Sequence, residues 1–240
     1  MARSDLSPSG DPSRFASTVW SELRLAAGKD AGAQAALYRK YRRPVLKFLE
    51  RRVPRGVDAE LLADEVLQSM LDPAFLGQAD AAKGRFRDLL LAMTRHAMFN
   101  AGRKERAEKR GGGRGRVSLD DLTTDPPADE EERGDFDRLF AKEVMAHARE
   151  RLEGEAATRK SPEAEVLRLF YDGGKSQKEI AEATALSEAA VNTHLDRARK
   201  RLGRHIRDVL SPLVATRQEL EEEIKHLLGV LSRRGRRPAR

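Results

Sequence analysis

From Gly111 to Asp135 the chain reads GGGRGRVSLDDLTTDPPADEEERGD, a stretch with consecutive glycines, paired prolines, an acidic run and no hydrophobic period. A segment of this kind offers no face that a helix or strand could bury, so it divides whatever lies on either side of it. At about 3.3 Å per residue it can reach across tens of ångströms. A chain of 240 residues cut in this way suits two small domains, since one domain usually takes roughly 100–200 residues.

Both sides carry helical spacing. Phe15, Val19 and Leu23 mark one face, and Ala33, Leu37, Tyr41, Val45 and Leu49 form a stripe from Asp30 to Arg52, four residues apart as a helix requires. Pro44 lies within that stripe and is expected to kink or divide it, because its ring has no N–H for the preceding turn. Asp58 is a good N-cap for a helix carrying Leu62, Val66 and Met70, which Asp72 and Pro73 stop. A fourth helix, about Lys83 to Arg110, places Phe86, Leu90, Met93 and Ala97 inward before turning polar at RKERAEKR. Beyond the divide, Phe136, Leu139, Phe140 and Val144 define an amphipathic helix ending near Leu152. Ser161 and Pro162 open another with Val166, Leu167 and Phe170 inward and Gly173 and Gly174 past its end. Leu220, Ile224, Leu227, Leu228 and Leu231 stripe a last helix, expected to pack on the second domain. No strand-like alternation and no repeat is evident, so the expected fold is all-α.

Charge narrows the partners. Net charge is +7 and the sequence pI about 9.8, a balance that attracts polyanions, nucleic acid first. From Lys83 to Arg116 stand eleven Lys or Arg against Asp88, Glu105 and Glu108, a local +8. Between Asp120 and Asp135, the acids Asp120, Asp121, Asp125, Asp129, Glu130, Glu131, Glu132 and Asp135 stand against Arg133 alone. Cysteine is absent, which excludes disulfides, thiolate metal sites and cysteine nucleophiles. His96, His147, His194, His205 and His226 share no ligand spacing on one face, so neither metal nor cofactor is expected. MARSDLSPSGDPSRF lacks the apolar core of a signal peptide and no segment has the 18 or more apolar residues of a membrane span. A soluble, cytoplasmic protein is expected, without membrane insertion.

The densest local signal is SQKEIAEATALSEAAVNTHLDRARKRL, Ser176 to Leu202. Ser176 and Glu179 have capping-box spacing, and Ser187 can cap a second helix in which Val191, Leu195, Ala198 and Leu202 recur. Two caps so close leave room for one short helix and a turn, which is helix-turn-helix spacing. With its stripe buried, the second helix presents Glu188, Asn192, Thr193, Asp196, Arg197 and Lys200. Asn suits adenine, Arg suits guanine or phosphate, and Thr a thymine methyl. Arg199, Lys200, Arg201 and Arg204 lie where phosphates pass a helix seated in the major groove.

The segment SPEAEVLRLFYDGGKSQKEIAEATALSEAAVNTHLDRARKRL resembles the C-terminal DNA-binding region of bacterial RNA polymerase sigma factors of the extracytoplasmic-function group. ALYRKYRRPVLKFLERR with VDAELLADEVLQSML is similar to that family's polymerase-docking and promoter-melting region. KGRFRDLLLAMTRHAMFNAGRKERAEKRGGG resembles a subgroup that carries KGRFR, RH and a closing KRGGG and ends in an amphipathic helix. Two departures stand out: Leu61 and Asp64 occupy places where the family usually has an acid and a glutamine, and Ala185 stands where it usually has glycine. Alanine in a left-handed turn costs about 1 kcal/mol.

The resemblance implies a non-enzymatic promoter-specificity subunit whose partners are core RNA polymerase and promoter DNA, associated with the nucleoid when bound to polymerase. It implies a leader (1–13), a docking and minus-ten domain (14–110), a flexible acidic linker (111–135), a helix-turn-helix domain for the minus-thirty-five element (136–210) and an amphipathic extension with a basic tail (211–240). Lys83, Arg85, Arg95, His96, Phe99, Asn100, Arg103, Lys104 and Arg106 would contact the melted element. Helical spacing alone sets Arg95 beside Phe99, and His96 beside Asn100 and Arg103. The loop from Asp72 to Lys83 would hold a flipped base. Asp58, Glu60, Asp64 and Glu65 would face polymerase. An anti-sigma factor or other regulator is a further candidate partner.

Two other readings fit parts of the sequence. A stand-alone helix-turn-helix regulator with an N-terminal sensing or dimerising domain would need a pocket or dimer seam in 14–110. A DNA-processing enzyme would need a nucleophile with supporting arginines or metal carboxylates on a mixed fold, and none is found.

Overall fold

The computed structural model describes residues 31–72, 86–108, 128–211, 214 and 216–232. Among these residues it is all-α, with eight helices: α1 Ala31–Leu49, α2 Ala59–Met70, α3 Phe86–Glu108, α4 Glu130–Thr158, α5 Glu163–Tyr171, α6 Gln177–Thr184, α7 Glu188–Leu210 and α8 Arg217–Ser232. The expected leader, the Phe15–Leu23 face, most of the Asp72–Lys83 loop, the stretch 111–127 and the basic tail lie outside the described residues.

The chain divides into two compact units, Met1–Phe140 with Ser211–Arg240, and Ala141–Leu210. The acidic residues from Glu130 to Asp135, expected as linker, are the first turns of α4. The last helix, expected on the second domain, belongs to the first unit.

In the first unit α1, α2 and α3 pack on one another. Tyr41, Val45 and Leu49 of α1, Leu62, Val66 and Met70 of α2, and Leu90 and Met93 of α3 are buried, each large aliphatic side chain contributing about 1.5–3 kcal/mol relative to exposure. Pro44 does not divide α1: the helix runs through it to Leu49, since tertiary packing overrides a local breaker when the flanking stripe is buried. Asp58 caps α2, accepting from the Glu60 and Leu61 amides at 2.9 and 3.2 Å. The start of α4 joins this core through Phe136, set edge-on to Phe48, and Phe140, stacked with Tyr41. From α8, Leu220, Glu223 and Leu227 are buried.

The second unit is built on α5, α6 and α7. Val166, Ile180, Ala181, Val191 and Leu195 form its centre, with Leu169, Phe170 and Leu186 against them. Leu152, Leu167 and Ala198 make a second cluster that ties in the later part of α4. Helix α4 continues to Thr158, past the expected end near Leu152.

Candidate nucleic-acid interface

The helix-turn-helix is fixed by its caps. Ser176 accepts from the Glu179 amide while the Glu179 carboxylate accepts from the Ser176 amide at 2.8 Å, so each satisfies a backbone donor that the helix start leaves open. Those bonds hold the exposed Glu179 carboxyl below the usual range, the Ser176 hydroxyl being the main cause. Ser187 accepts from the Ala190 amide at 3.2 Å and starts α7. Between the helices Ala185 is left-handed, with φ 55° and ψ 29°, and the Leu186 amide donates to the Ala181 carbonyl. The turn keeps its ordinary tight form and Ala185 carries the strain.

With Val191, Leu195 and Ala198 buried, α7 exposes Glu188, Asn192, Thr193, Asp196, Arg197, Arg199, Lys200 and Arg204 along one face. Gln177 on α6 donates to the Asn192 side-chain carbonyl at 3.3 Å. This bond uses the Asn192 side-chain oxygen; its amide N–H group is the one that can donate to adenine N7. Thr193 donates to the Ala189 carbonyl at 2.9 Å.

Two of the predicted arginines are held by the protein itself. Arg199 lies over the rings of Phe170 and Tyr171, donates to the Tyr171 hydroxyl at 3.1 Å and pairs with Asp196 at 3.4 Å. Arg201 turns inward, to Glu155 at 2.9 Å and the buried Glu163 at 2.8 Å. Burial works to raise the Glu155 carboxyl, but the hydrogen bond from His205 and the charges of Arg159, His205 and Arg204 outweigh it and hold it low. In this unit Arg201 is therefore a tie between α4, α5 and α7, while Arg197 and Lys200 stay exposed at the surface.

In the first unit, α3 brings together the neighbours that helical spacing predicts. The Arg95 guanidinium lies 5.2 Å from the Phe99 ring centroid. Asn100 Nδ2 is 2.6 Å from His96 Nε2, and Arg103 donates to Asn100 Oδ1 at 2.7 Å. Exposure differs along this ladder. Arg95 and His96 are buried, at 7% and 4% exposure, Phe99 and Asn100 are half-buried, and Arg103 is exposed. Arg95 meets Glu132 of α4 at 2.9 Å. Lys83 and Arg85, and the side chains of Lys104 and Arg106, lie outside the described residues.

The four acids assigned to the docking surface have unlike surroundings. Asp58 is spent on its cap. Asp64 accepts from Arg42 at 2.8 Å and Tyr38 at 2.6 Å, and the Arg42 bond above all holds its carboxyl below the usual range. Glu60 lies 3.5 Å from Arg42 and is exposed, as is Glu65. Beside them Leu61 is 58% exposed, at a position where the resembled family usually carries an acid.

Sequence reading passed over one buried cluster. Arg87 on α3 donates to Asp137 of α4 and, at 2.9 Å, to Glu223 of α8, while His226 lies 2.7 Å from Asp137. Its legible signal was phase: Arg87 stands three residues before Leu90, and Glu223 three after Leu220, so both are charges on inward helical faces. Among the described residues no group of three or more His, Asp or Glu is arranged to hold a metal ion.

Residues 161–202 match the family model for sigma-70, region 4. That span covers α5, α6 and most of α7, the helix-turn-helix itself. No curated protein and no solved structure matches the chain significantly.

Proposed function

We propose that this chain is a sigma factor of the extracytoplasmic-function kind, which binds core RNA polymerase and directs it to promoters. The observation that carries the reading is the coincidence of the sigma-70 region 4 match, residues 161–202, with a capped helix-turn-helix that displays Asn192, Arg197 and Lys200 outward. In this reading the N-terminal part of α7 enters the major groove of the upstream element, where Glu188, Asn192, Thr193, Asp196 and Arg197 face base edges and Arg199, Lys200 and Arg204 meet phosphates. Arg201 is given a supporting part, since it braces α7 against Glu155 and Glu163.

The basic segment from Lys83 to Arg116, with eleven cations against three acids, takes the strand that melts, its arginines and Phe99 suiting phosphate contact and base stacking. Glu60, Glu65 and the exposed Leu61 on α2 supply an acidic rim around an apolar point, a composition that suits a basic surface of polymerase. The protein does no chemistry of its own in this role and needs no cofactor. In this reading the N-terminal motifs KGRFR and KRGGG suit the subgroup that carries them.

Run-off transcription with core polymerase on genomic fragments tests the reading. New start sites should appear when the protein is added, and the protein should co-purify with core enzyme. Unchanged start sites together with failure to co-purify would leave a stand-alone regulator as the better account.

A further inference from the structure

We propose that the acidic start of α4 is an intramolecular occupant of the basic face of α3, standing where nucleic-acid phosphates would bind, so that this face is closed until the segment is displaced. The inference rests on the reading of α3 as a promoter contact and concerns how that contact is regulated.

Three carboxylates within six positions each meet an arginine of the same unit. Glu132 pairs with Arg95 at 2.9 Å, Asp135 with Arg52 at 2.7 Å, and Asp137 with Arg87. The arginine side chains are only 8%, 17% and 6% exposed. A guanidinium fork binds carboxylate and phosphate oxygens with the same geometry, so a partner that satisfies one competes with the other. Charge runs the same way over a longer span, because the segment ends the acidic stretch that begins at Asp120, while α3 lies within the basic stretch from Lys83 to Arg116. The cover is partial along α3: it reaches Arg95 and leaves Arg103 exposed.

The segment is seated as well as paired. Phe136 is fully buried against Phe48, and α8 adds a second hold through Glu223 on Arg87 and His226 on Asp137. A closed form of this kind lowers apparent affinity by the fraction of molecules that are open, and only a ligand with a preference for the open form shifts that balance. Nucleic acid has such a preference, since its phosphates need the arginines that the acids hold.

The full-length protein and a short mixed-sequence single-stranded oligodeoxynucleotide suffice for the test. The double variant Glu132→Gln with Asp135→Asn should bind the oligonucleotide about tenfold more tightly at low salt. The slope of log affinity against log salt should steepen by about 0.7 for each cation newly facing phosphate. Adding Arg95→Ala should remove the share of the gain that Glu132→Gln contributes. A measurement on the unaltered protein guards against a variant that does not fold: oligonucleotide binding should accelerate amide hydrogen exchange in residues 130–137. Unchanged affinity and salt slope in a folded double variant, or oligonucleotide bound with residues 130–137 still protected, overturns the proposal. No polymerase is present in these assays, so the sigma reading stands or falls separately on run-off transcription.

Discussion

Ala185 holds φ 55° in the turn between α6 and α7, a conformation that crowds its Cβ against the backbone. Ala185→Gly should therefore raise stability by about 0.5–1 kcal/mol, the relief of strain exceeding the added freedom of the unfolded chain. Thermal unfolding measures it, and a lower midpoint would mean that the alanine methyl has a packing role. Arg201 and Lys200 are adjacent in sequence with opposite fates. Arg201→Ala leaves the buried Glu163 without a partner that stands at 2.8 Å and should cost about 1–3 kcal/mol of stability. Lys200→Ala should leave unfolding unchanged while weakening DNA binding evenly across sequences and reducing its salt dependence. Asn192→Ala should instead shift sequence preference at the upstream element, read by selection from a random duplex pool. Composition alone ranks these two neighbouring cations alike; the difference lies in Glu155 and Glu163, which approach from other helices.

Among the elements, α2 shows how one acidic cluster divides into separate tasks. Asp58 is the N-cap, so Asp58→Ala should lower stability by about 1 kcal/mol, whereas Glu65→Gln, at an exposed position, should leave stability unchanged and weaken co-purification with core polymerase. Loss of stability in both, or in neither, would contradict this division. The two caps of the helix-turn-helix and the buried phases of α1, α2 and α7 were legible in the sequence because capping and helical period are local properties. The start of α4 was not. Its acids and Gly134 read as linker, and the helix forms there because Phe136 and Phe140 find Phe48 and Tyr41, residues far away along the chain. The passage of α1 through Pro44 has the same origin, burial of the surrounding stripe outweighing one lost hydrogen bond.

At the scale of the whole molecule, charge is sorted into long basic and acidic blocks, and ion pairs between elements make stability depend on pH. Asp64 and Asp135 both have carboxyls held low, chiefly by hydrogen bonds from Arg42 and Arg52 respectively. A folded-state value below the unfolded one contributes stability that is complete above the ordinary aspartate value of about 3.9 and is lost as pH falls through the lowered one. Unfolding followed from neutral pH downward should show the first unit losing stability below about pH 4, and less steeply with Asp64→Asn and Asp135→Asn together. An unchanged profile in that variant would assign the acid loss to other carboxylates.

The all-α class, the helix-turn-helix with its caps, and the displayed face of α7 follow from the sequence by itself, because period, cap spacing and side-chain chemistry act over a few residues. Tertiary structure alone decided that Arg201 is a brace, that Arg95, Arg52 and Arg87 are met by acids of α4, and that the last helix belongs to the first unit. The physical reason is that an ion pair or a buried aromatic contact depends on distance in space, which the spacing of residues along one helix does not set once its partner lies on another.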